Sequence, residues 1–459
     1  MFKKSFLYSI EALSPKLISV ILLPILLRLI NPTLWAEITI LLALQLFISY
    51  FLTHGDENSI LKYTADKNLI AQTCLSLIKY STLVLIFFEI VALLVSKLPF
   101  SIIYGLPFRF MFLSTIFISL NKLFLSKLKS LGRAEVVFKS TIFESLFINL
   151  MQLVAIALTV QIDGYNTRVV VTIYFLVQLL GNFFKLVYLA KNIEFKLSLF
   201  SKNFFLKKPK NFLSFSNLSF FLLLTSYFLN WQDKFFVEYI FGLSNLGIYS
   251  VASRIGNLGM VFIVAILVSA NAKYWPKDNT DEISASIFII TKDIIKISLF
   301  AFTSLSLIAS TIGKYIIPKT YHESVDLIYL ASFLIFLHTI VLIFSIDFGR
   351  LNQIKKVVIY NTTVFISQIL IYNIYEFSSL EEVYLMQIFT LLIFIPMYFY
   401  KTIYKYRNIL FLSIIFFTVV IVSIFTYITF EYQVIQIFLF LSGCYVAFLS
   451  LQQWLVLDS

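Results

Sequence analysis

Apolar stretches of about twenty residues, separated by short polar turns, run almost unbroken from Leu7 to Leu457. A hydrocarbon core about 30 Å thick takes roughly 20 apolar residues per helix. The pattern therefore predicts about fourteen membrane-spanning helices. They fall at 6–30, 34–53, 73–95, 106–125, 136–160, 166–190, 211–232, 246–272, 285–312, 324–347, 355–375, 381–402, 408–429 and 432–455. These runs are apolar on every side and too long for barrel strands, which span in about 10 residues with strict alternation. Lipid offers no partner to a polar group, so each polar residue inside the stretches needs a protein partner or a task.

The turns carry a charge pattern. Lys and Arg favour the cytoplasmic side of short loops. With the N-terminus inside, the inside segments hold Lys3 and Lys4, Lys62 and Lys67, Lys127 to Lys139, the lysines from Lys191 to Lys210, Lys273 and Lys277, Arg350 to Lys356, and Lys401 to Arg407. The outside segments hold Asp163, Arg168, Asp233, Lys234, Lys314, Lys319, Glu376, Glu381, Glu382 and Glu431. The asymmetry predicts an even number of spans and both termini in the cytoplasm. It also accounts for the net charge of +12 without nucleic acid as a partner. Met1-Phe-Lys-Lys leads into a first span without a small-residue cleavage site, which reads as retained rather than as a cleaved signal.

The longest hydrophilic connection, 191–210, divides the chain after the sixth span. Two echoes cross that midpoint. Ile30-Asn-Pro-Thr-Leu-Trp-Ala-Glu-Ile38 resembles Phe241-Gly-Leu-Ser-Asn-Leu-Gly-Ile-Tyr249, and Gly132-Arg-Ala-Glu-Val-Val-Phe138 resembles Gln353-Ile-Lys-Lys-Val-Val-Ile359. Both are offset by six spans, and an even offset keeps orientation, so the expected architecture is a parallel repeat. The expected divisions are an N-terminal six-helix bundle at 1–190, a basic cytoplasmic linker at 191–210, a second six-helix bundle at 211–402 and an appended hairpin at 403–459.

Composition adds a few exclusions. Only 13% of residues are charged, against about 25% in soluble domains. Cys74 and Cys444 match no metal or redox spacing. His54-Gly-Asp-Glu57 reads as a polar helix end with Gly55 as the breaker, not as a metal box. No nucleotide-binding loop, paired-Asp motif or zinc motif is present, so neither a cofactor nor an enzymatic activity is expected.

The candidate chemistry lies in polar stripes. Ser5, Ser9, Ala12, Lys16 and Ser19 share one face of the first span, with Lys16 near its middle and Pro15 beside it. Ser250, Ser253, Arg254 and Asn257 share a face of the eighth, with Arg254 about eight residues, or roughly 12 Å, inside the outer end. An Arg at that depth must face protein or water. Gly256 and Gly259 nearby suit close helix packing. Ser219, Ser226, Asn230 and Asp233 share a face of the seventh span, with Lys234 adjacent. Arg28 and Glu37 bracket the first outside turn, as an ion pair or an outer gate. Glu37, Glu144, His338 and Asp347 are the candidate gate or coupling groups, and Glu89 is a further ionisable group within a span.

Trp231-Gln-Asp-Lys-Phe-Phe-Val-Glu-Tyr-Ile-Phe-Gly-Leu-Ser-Asn-Leu-Gly-Ile-Tyr-Ser-Val-Ala-Ser-Arg254 resembles the junction of spans seven and eight in bacterial polysaccharide exporters. Leu26-Leu-Arg-Leu-Ile-Asn-Pro32 is similar to that family's first outside turn, with Ala36 where Gly is usual, and Ser59-Ile-Leu-Lys62 to its segment after span two. These are O-antigen flippase-type members of the multidrug/oligosaccharidyl-lipid/polysaccharide (MOP) exporter superfamily. The resemblance implies an all-α integral membrane fold, MATE-like, with helices 1, 2, 7 and 8 lining a central cavity. It implies a monomer in the bacterial cytoplasmic membrane that turns undecaprenyl-pyrophosphate-linked oligosaccharide from the inner to the outer leaflet by alternating access. Membrane lipids surround it, and a polysaccharide polymerase and chain-length proteins are the further partners. A pyrophosphate needs cations, and Arg binds phosphate oxygens bidentately. The expected cavity set is Lys16, Arg28, Asn230, Asp233, Lys234, Ser250, Arg254 and Asn257.

Three rivals differ in what they require. A drug or metabolite antiporter of the same superfamily would place organic cations against Lys16 and Arg254, which repel them. An O-antigen polymerase or ligase needs a sizeable outside loop, and the outside loops here are short. A scaffold has no use for buried charge on aligned helix faces.

Overall fold

The computed structural model describes residues 2–63, 67–94, 105–163, 166–193, 208–258, 313–347 and 354–399. The described residues are helical, with no strand among them. The helices are α1 (Phe2–Leu29), α2 (Pro32–Thr53), α3 (Asp56–Tyr63), α4 (Lys67–Leu94), α5 (Leu106–Ser130), α6 (Ala134–Asp163), α7 (Thr167–Ile193) and α8 (Lys210–Gly256). A 3-10 turn (Lys319–Tyr321) precedes α9 (His322–Asp347), α10 (Ile354–Ile374) and α11 (Leu380–Phe399). Among the described residues, seven helices are long and apolar enough to cross a membrane. The expected ninth span, the appended hairpin and most of the linker lie outside the described residues.

Local chemistry sets the helix ends. Asn31 caps α2, its side chain accepting the Leu34 N–H at 2.8 Å, and Pro32 follows in the first turn, where a missing N–H does no harm. α2 ends at His54 and Gly55, both left-handed (φ 49° and 72°). The chain then re-enters a helix at once as α3, a short amphipathic element that hydrophobic runs cannot reveal. The seventh and eighth spans are also joined more tightly than the apolar pattern predicts. The backbone is helical on both sides of Gly242, whose φ of 80° is the one non-helical break within α8. With no Cβ, Gly adopts that conformation without strain. The second arm of α8 thus starts at Leu243, and Arg254 lies about 16 Å along it at 1.5 Å per residue.

The chain forms two compact units, one containing the described residues to Ser250, the other the described residues from Val251 onward. In the first, α5 packs on α7 and α2, α1 on α6, α6 on α7, and α3 on α5. Lipid tails are as apolar as Leu, so these contacts depend on close fit and internal hydrogen bonds rather than on water expulsion. An added Cβ at Gly181 of α7 would lie 2.4 Å from Ile148 of α6. Gln45 and Gln178 exchange hydrogen bonds at 3.3 and 3.0 Å between α2 and α7. Asn121 donates to the Asn182 carbonyl at 3.0 Å between α5 and α7. Turn one and the α8 elbow, the two segments that echo each other in sequence, touch: a Cβ on Gly247 would fall 2.1 Å from the Pro32 carbonyl oxygen. In the second unit, α9 packs on α11 and α10 on α11. Gly256 fits against the backbone at Ala331 of α9, with room for no more than a hydrogen.

Candidate functional site

The first unit holds a polar seam between α2 and the first arm of α8. Near the elbow, Asp233 is buried and accepts a hydrogen bond from the Tyr249 hydroxyl at 2.7 Å. Lys234 is buried beside it, with its Nζ 3.3 Å from Asp233 Oδ1 and 3.0 Å from the Asn230 carbonyl oxygen. The same ammonium sits 4.8 Å over the Trp231 ring, a contact strengthened where water is scarce. Asn230 itself is exposed, its amide donating to the Ser226 carbonyl at 2.6 Å. Ser250 is buried, donates to the Gly247 carbonyl at 2.9 Å and lies 3.4 Å from Thr39 Oγ1 of α2.

From there an aromatic ladder descends. Trp231 stacks on Tyr227 at 6.3 Å, Tyr227 meets Tyr50 edge-on at 6.4 Å, and Phe47 packs on Tyr227 at 5.2 Å. Lys122 of α5 lies 4.9 Å over the Tyr50 ring. Its Nζ donates to Ser49 Oγ at 2.9 Å, and Ser119 donates to the same oxygen at 3.1 Å. Glu57, on α3, is within electrostatic reach of Lys122 and sits next to Thr53. Burial holds the Glu57 carboxyl above the usual carboxylate range, and the Lys122 charge acts in the opposite sense. Glu57 Oε2 and Thr53 Oγ1 lie buried beside each other, and the Thr53 hydroxyl also acts to steady the carboxylate.

A clamp closes the seam beyond Glu57. Lys208 pairs with Asp56 at 2.5 Å, and Ser216 donates to Asp56 at 2.7 Å and to the His54 carbonyl at 2.6 Å. The His54 ring stacks on Phe220 at 4.5 Å and shares a hydrogen bond with Asn217 at 2.9 Å. Gly55 is pressed against α8, where a Cβ would lie 2.4 Å from the Ser216 carbonyl oxygen. The His54–Glu57 segment is thus a helix end, as its sequence predicts, and a packed, charged corner as well.

The structure brings together Asp233, Lys234, Asn230 and Ser250 of the expected cavity set. Lys16 stands elsewhere, near the middle of α1. It is exposed and makes no hydrogen bond or ion pair among the described residues. Its face of the helix matters. Leu23 and Leu27, seven and eleven residues on, lie over Lys16 and are 2% and 1% exposed, whereas Ile21 and Ile25 on the far side are 71% and 49% exposed. Lys16 is therefore accessible on the inward face of α1. Arg28 is exposed at the end of α1, and Glu37 is half-buried under the charge of Arg168 on α7. Glu144 pairs with Lys185 of α7, a structural link between α6 and α7. In the second unit, Arg254 is half-buried and engaged, Asn257 donates to the Ser253 carbonyl at 2.9 Å, and His338 is buried on α9. Ser253 shares a hydrogen bond with Tyr384 at 2.7 Å. Asp347 closes α9, and its side chain lies outside the described residues, as does that of Glu89 on α4; Gly259 and Cys444 fall wholly outside them. Cys74 is buried.

The residues that sequence reasoning missed are Lys122, Tyr50 and Glu57 as a group. They lie on three elements, and only the α2–α3 corner brings them together. The available signal was the charge of Lys122, seventeen residues into a span.

No family model and no curated protein matches the sequence. Solved structures do. A MATE in complex with MaL6 has a TM-score of 0.64 at 15% identity, covering 88% of this chain and 96% of that one. An outward-facing multidrug resistance MATE transporter of the MOP superfamily has a TM-score of 0.58 at 14% identity, covering 87% and 96%. A MOP superfamily transporter from Pyrococcus furiosus, described as having a binding pocket of reversed polarity that suggests a different function, has a TM-score of 0.62 at 15% identity, covering 86% and 94%. The fold of this chain is that of the MATE transporters of the MOP superfamily.

Proposed function

We propose that this protein is a membrane transporter that moves an anionic lipid-linked oligosaccharide, of the polyprenyl-pyrophosphate class, between leaflets by alternating access. The observation that carries the reading is Lys16. It is a cation at the middle of α1, the first span that the sequence predicts, on the face of Leu23 and Leu27, with no carboxylate engaging it among the described residues. Lys129, Lys185, Lys208 and Lys234 are each held by a carboxylate. A cation at mid-membrane is expensive unless it has a use, and a pyrophosphate supplies the counter-charge. The Ser, Asn and aromatic groups of the α2–α8 seam offer hydrogen bonds and flat apolar faces suited to sugars.

The multidrug neighbours raise the second reading, efflux of organic cations. A free carboxylate would favour it; Asp233 is engaged by Lys234 and Tyr249, Glu144 by Lys185, and the buried Glu57 carboxyl lies under the Lys122 charge, which repels cations. Both readings are tested in proteoliposomes. A labelled polyprenyl-pyrophosphate oligosaccharide is placed in one leaflet and its arrival in the other is read by lectin accessibility. Wild type is expected to transfer it, Lys16→Glu to slow transfer at least tenfold, or about 1.4 kcal/mol of barrier, and Lys16→Arg to retain it. Full export by both Lys16→Ala and Arg254→Ala would remove the site assignment. Cation efflux without lipid transfer would move the protein to the second reading.

A further inference from the structure

One corner of the first unit carries surface charge that transport leaves unused. There α3 lies against the start of α8, with the Ser59 hydroxyl donating to the Phe212 carbonyl at 3.2 Å. Three of the helices long and apolar enough to cross a membrane begin or end at this corner: α2 at Thr53, the apolar part of α4 at Asn68 and α8 at Lys210. The corner therefore stands at a bilayer boundary, where headgroups replace hydrocarbon. The lysines of these segments predict that the boundary is the cytoplasmic one.

Its side chains form two layers. The inner layer is compensated. Asp56 is buried, paired with Lys208 and hydrogen-bonded by Ser216, and the Glu57 carboxyl lies under the Lys122 charge. The outer layer is cationic and aromatic. Phe212 and Phe215, one turn apart on α8, each carry a lysine: Lys208 lies 5.9 Å from the centre of the Phe212 ring, and Lys62 lies 4.4 Å from that of Phe215. Tyr63 packs on both rings, centre to centre 6.4 and 6.1 Å, and is 38% exposed. Lys210 is exposed, with no hydrogen bond or ion pair among the described residues. With Asp56 taking up the charge of Lys208, Lys62 and Lys210 set the sign of this surface. An ammonium resting on a ring is held in place and keeps its charge. A tyrosine at this level presents an apolar body to the acyl boundary and a hydroxyl to the headgroups.

We propose that the α3–α8 corner is a binding site for an anionic phospholipid of the cytoplasmic leaflet, with Lys62 and Lys210 on the headgroup phosphate and Tyr63 along the glycerol and the upper acyl chain. Charge complementarity selects the occupant. A phospholipid with a glycerol headgroup offers a phosphate and no cation to cancel it, whereas a choline headgroup brings its own ammonium, which the two lysines repel. The negative potential of the cytoplasmic leaflet adds to the attraction. An occupied site ties the outer layer to the membrane surface and steadies the contact of α3 with α8 that the Asp56–Lys208 pair makes from within. The site lies on the boundary of the molecule and does not depend on what is transported.

The test uses the full-length protein in nanodiscs of phosphatidylglycerol and phosphatidylcholine in equal amounts, with one or the other lipid bearing a photoreactive group near its headgroup. After irradiation, the labelled peptides are located by mass spectrometry. The phosphatidylglycerol probe is expected to label the peptides around Tyr63 and Lys210 roughly fivefold or more over the phosphatidylcholine probe, the preference that one lysine near an anionic surface provides. Lys62→Gln and Lys210→Gln should each lower that ratio, and the two together should bring it to parity. Lys191→Gln, at the exposed end of α7 on the same predicted side, should leave it unchanged. Equal labelling by the two probes, a ratio kept in the double variant, or the same loss in Lys191→Gln overturns the site. If the double variant does not fold, Lys210→Gln alone decides, since its exposed side chain supports no packing. Loss of the phosphatidylglycerol label on adding polyprenyl pyrophosphate in equal amount would give the corner to the transported lipid and reject the phospholipid.

Discussion

Glu57 and Asp233 show how differently two acidic residues of one seam are treated. Asp233 is in direct contact with a lysine and a tyrosine hydroxyl, whereas Glu57 feels the Lys122 charge without an ion pair among the described residues. Removing one member of a buried ion pair leaves the other charge stranded, which costs about 3 kcal/mol or more. Asp233→Ala is therefore expected to lower stability by about that amount, and the double change with Lys234→Met to recover part of it. Thermal unfolding in detergent, arranged as a double-mutant cycle, measures both. Glu57 gives a pH signature instead. Burial raises its folded-state pKa above the unfolded value, so the folded chain holds the proton to higher pH. Its contribution is fully present below the ordinary carboxylate range and is lost as pH rises through the raised value. The apparent melting temperature of wild type should fall over that window, and Glu57→Gln should flatten the fall. At this scale the sequence was half legible. Asp233-Lys234 announces itself as adjacent charges in an apolar run, whereas the meaning of Glu57 depends on a lysine sixty-five residues away.

Elements are joined here through glycine. The Cβ that alanine would add at position 247 meets a backbone oxygen, which cannot rotate aside as a side chain could. Gly247→Ala should destabilise the first unit by about 1–3 kcal/mol, visible as loss of monodisperse protein on size-exclusion chromatography. Gly55→Ala meets both a clash with Ser216 and a left-handed φ of 72°, so its loss should exceed that of Gly247→Ala in the same assay. Hydropathy located the long apolar helices among the described residues because lipid imposes one length and one polarity on all of them. It could not locate α3, whose eight residues are neither apolar nor long. Nor could it show that a single glycine separates the two arms of α8, since a helix that continues past the bilayer carries no hydrophobic mark of where it stops.

For the molecule as a whole, charge asymmetry predicts which ends of the helices face the cytoplasm. Single cysteines at Asn166 and Lys208, introduced after removal of the two native ones, should react with an impermeant thiol reagent from opposite sides: Asn166 in intact cells, Lys208 only in inverted vesicles. Labelling of both from one side would refute the orientation. The all-helical, MATE-like fold was readable in the chain because span length and polarity recur along the whole sequence; the site was not, because its parts belong to helices far apart in it. The aromatic ladder has a practical consequence. Trp231 stacks between Tyr227 and the Lys234 ammonium, and indole emission shifts with the charge beside the ring. With Trp35, Trp275 and Trp454 replaced by Phe, the protein would carry a native optical reporter on the path between its two charged centres. Each turnover could then be followed as a colour change, without attaching any dye.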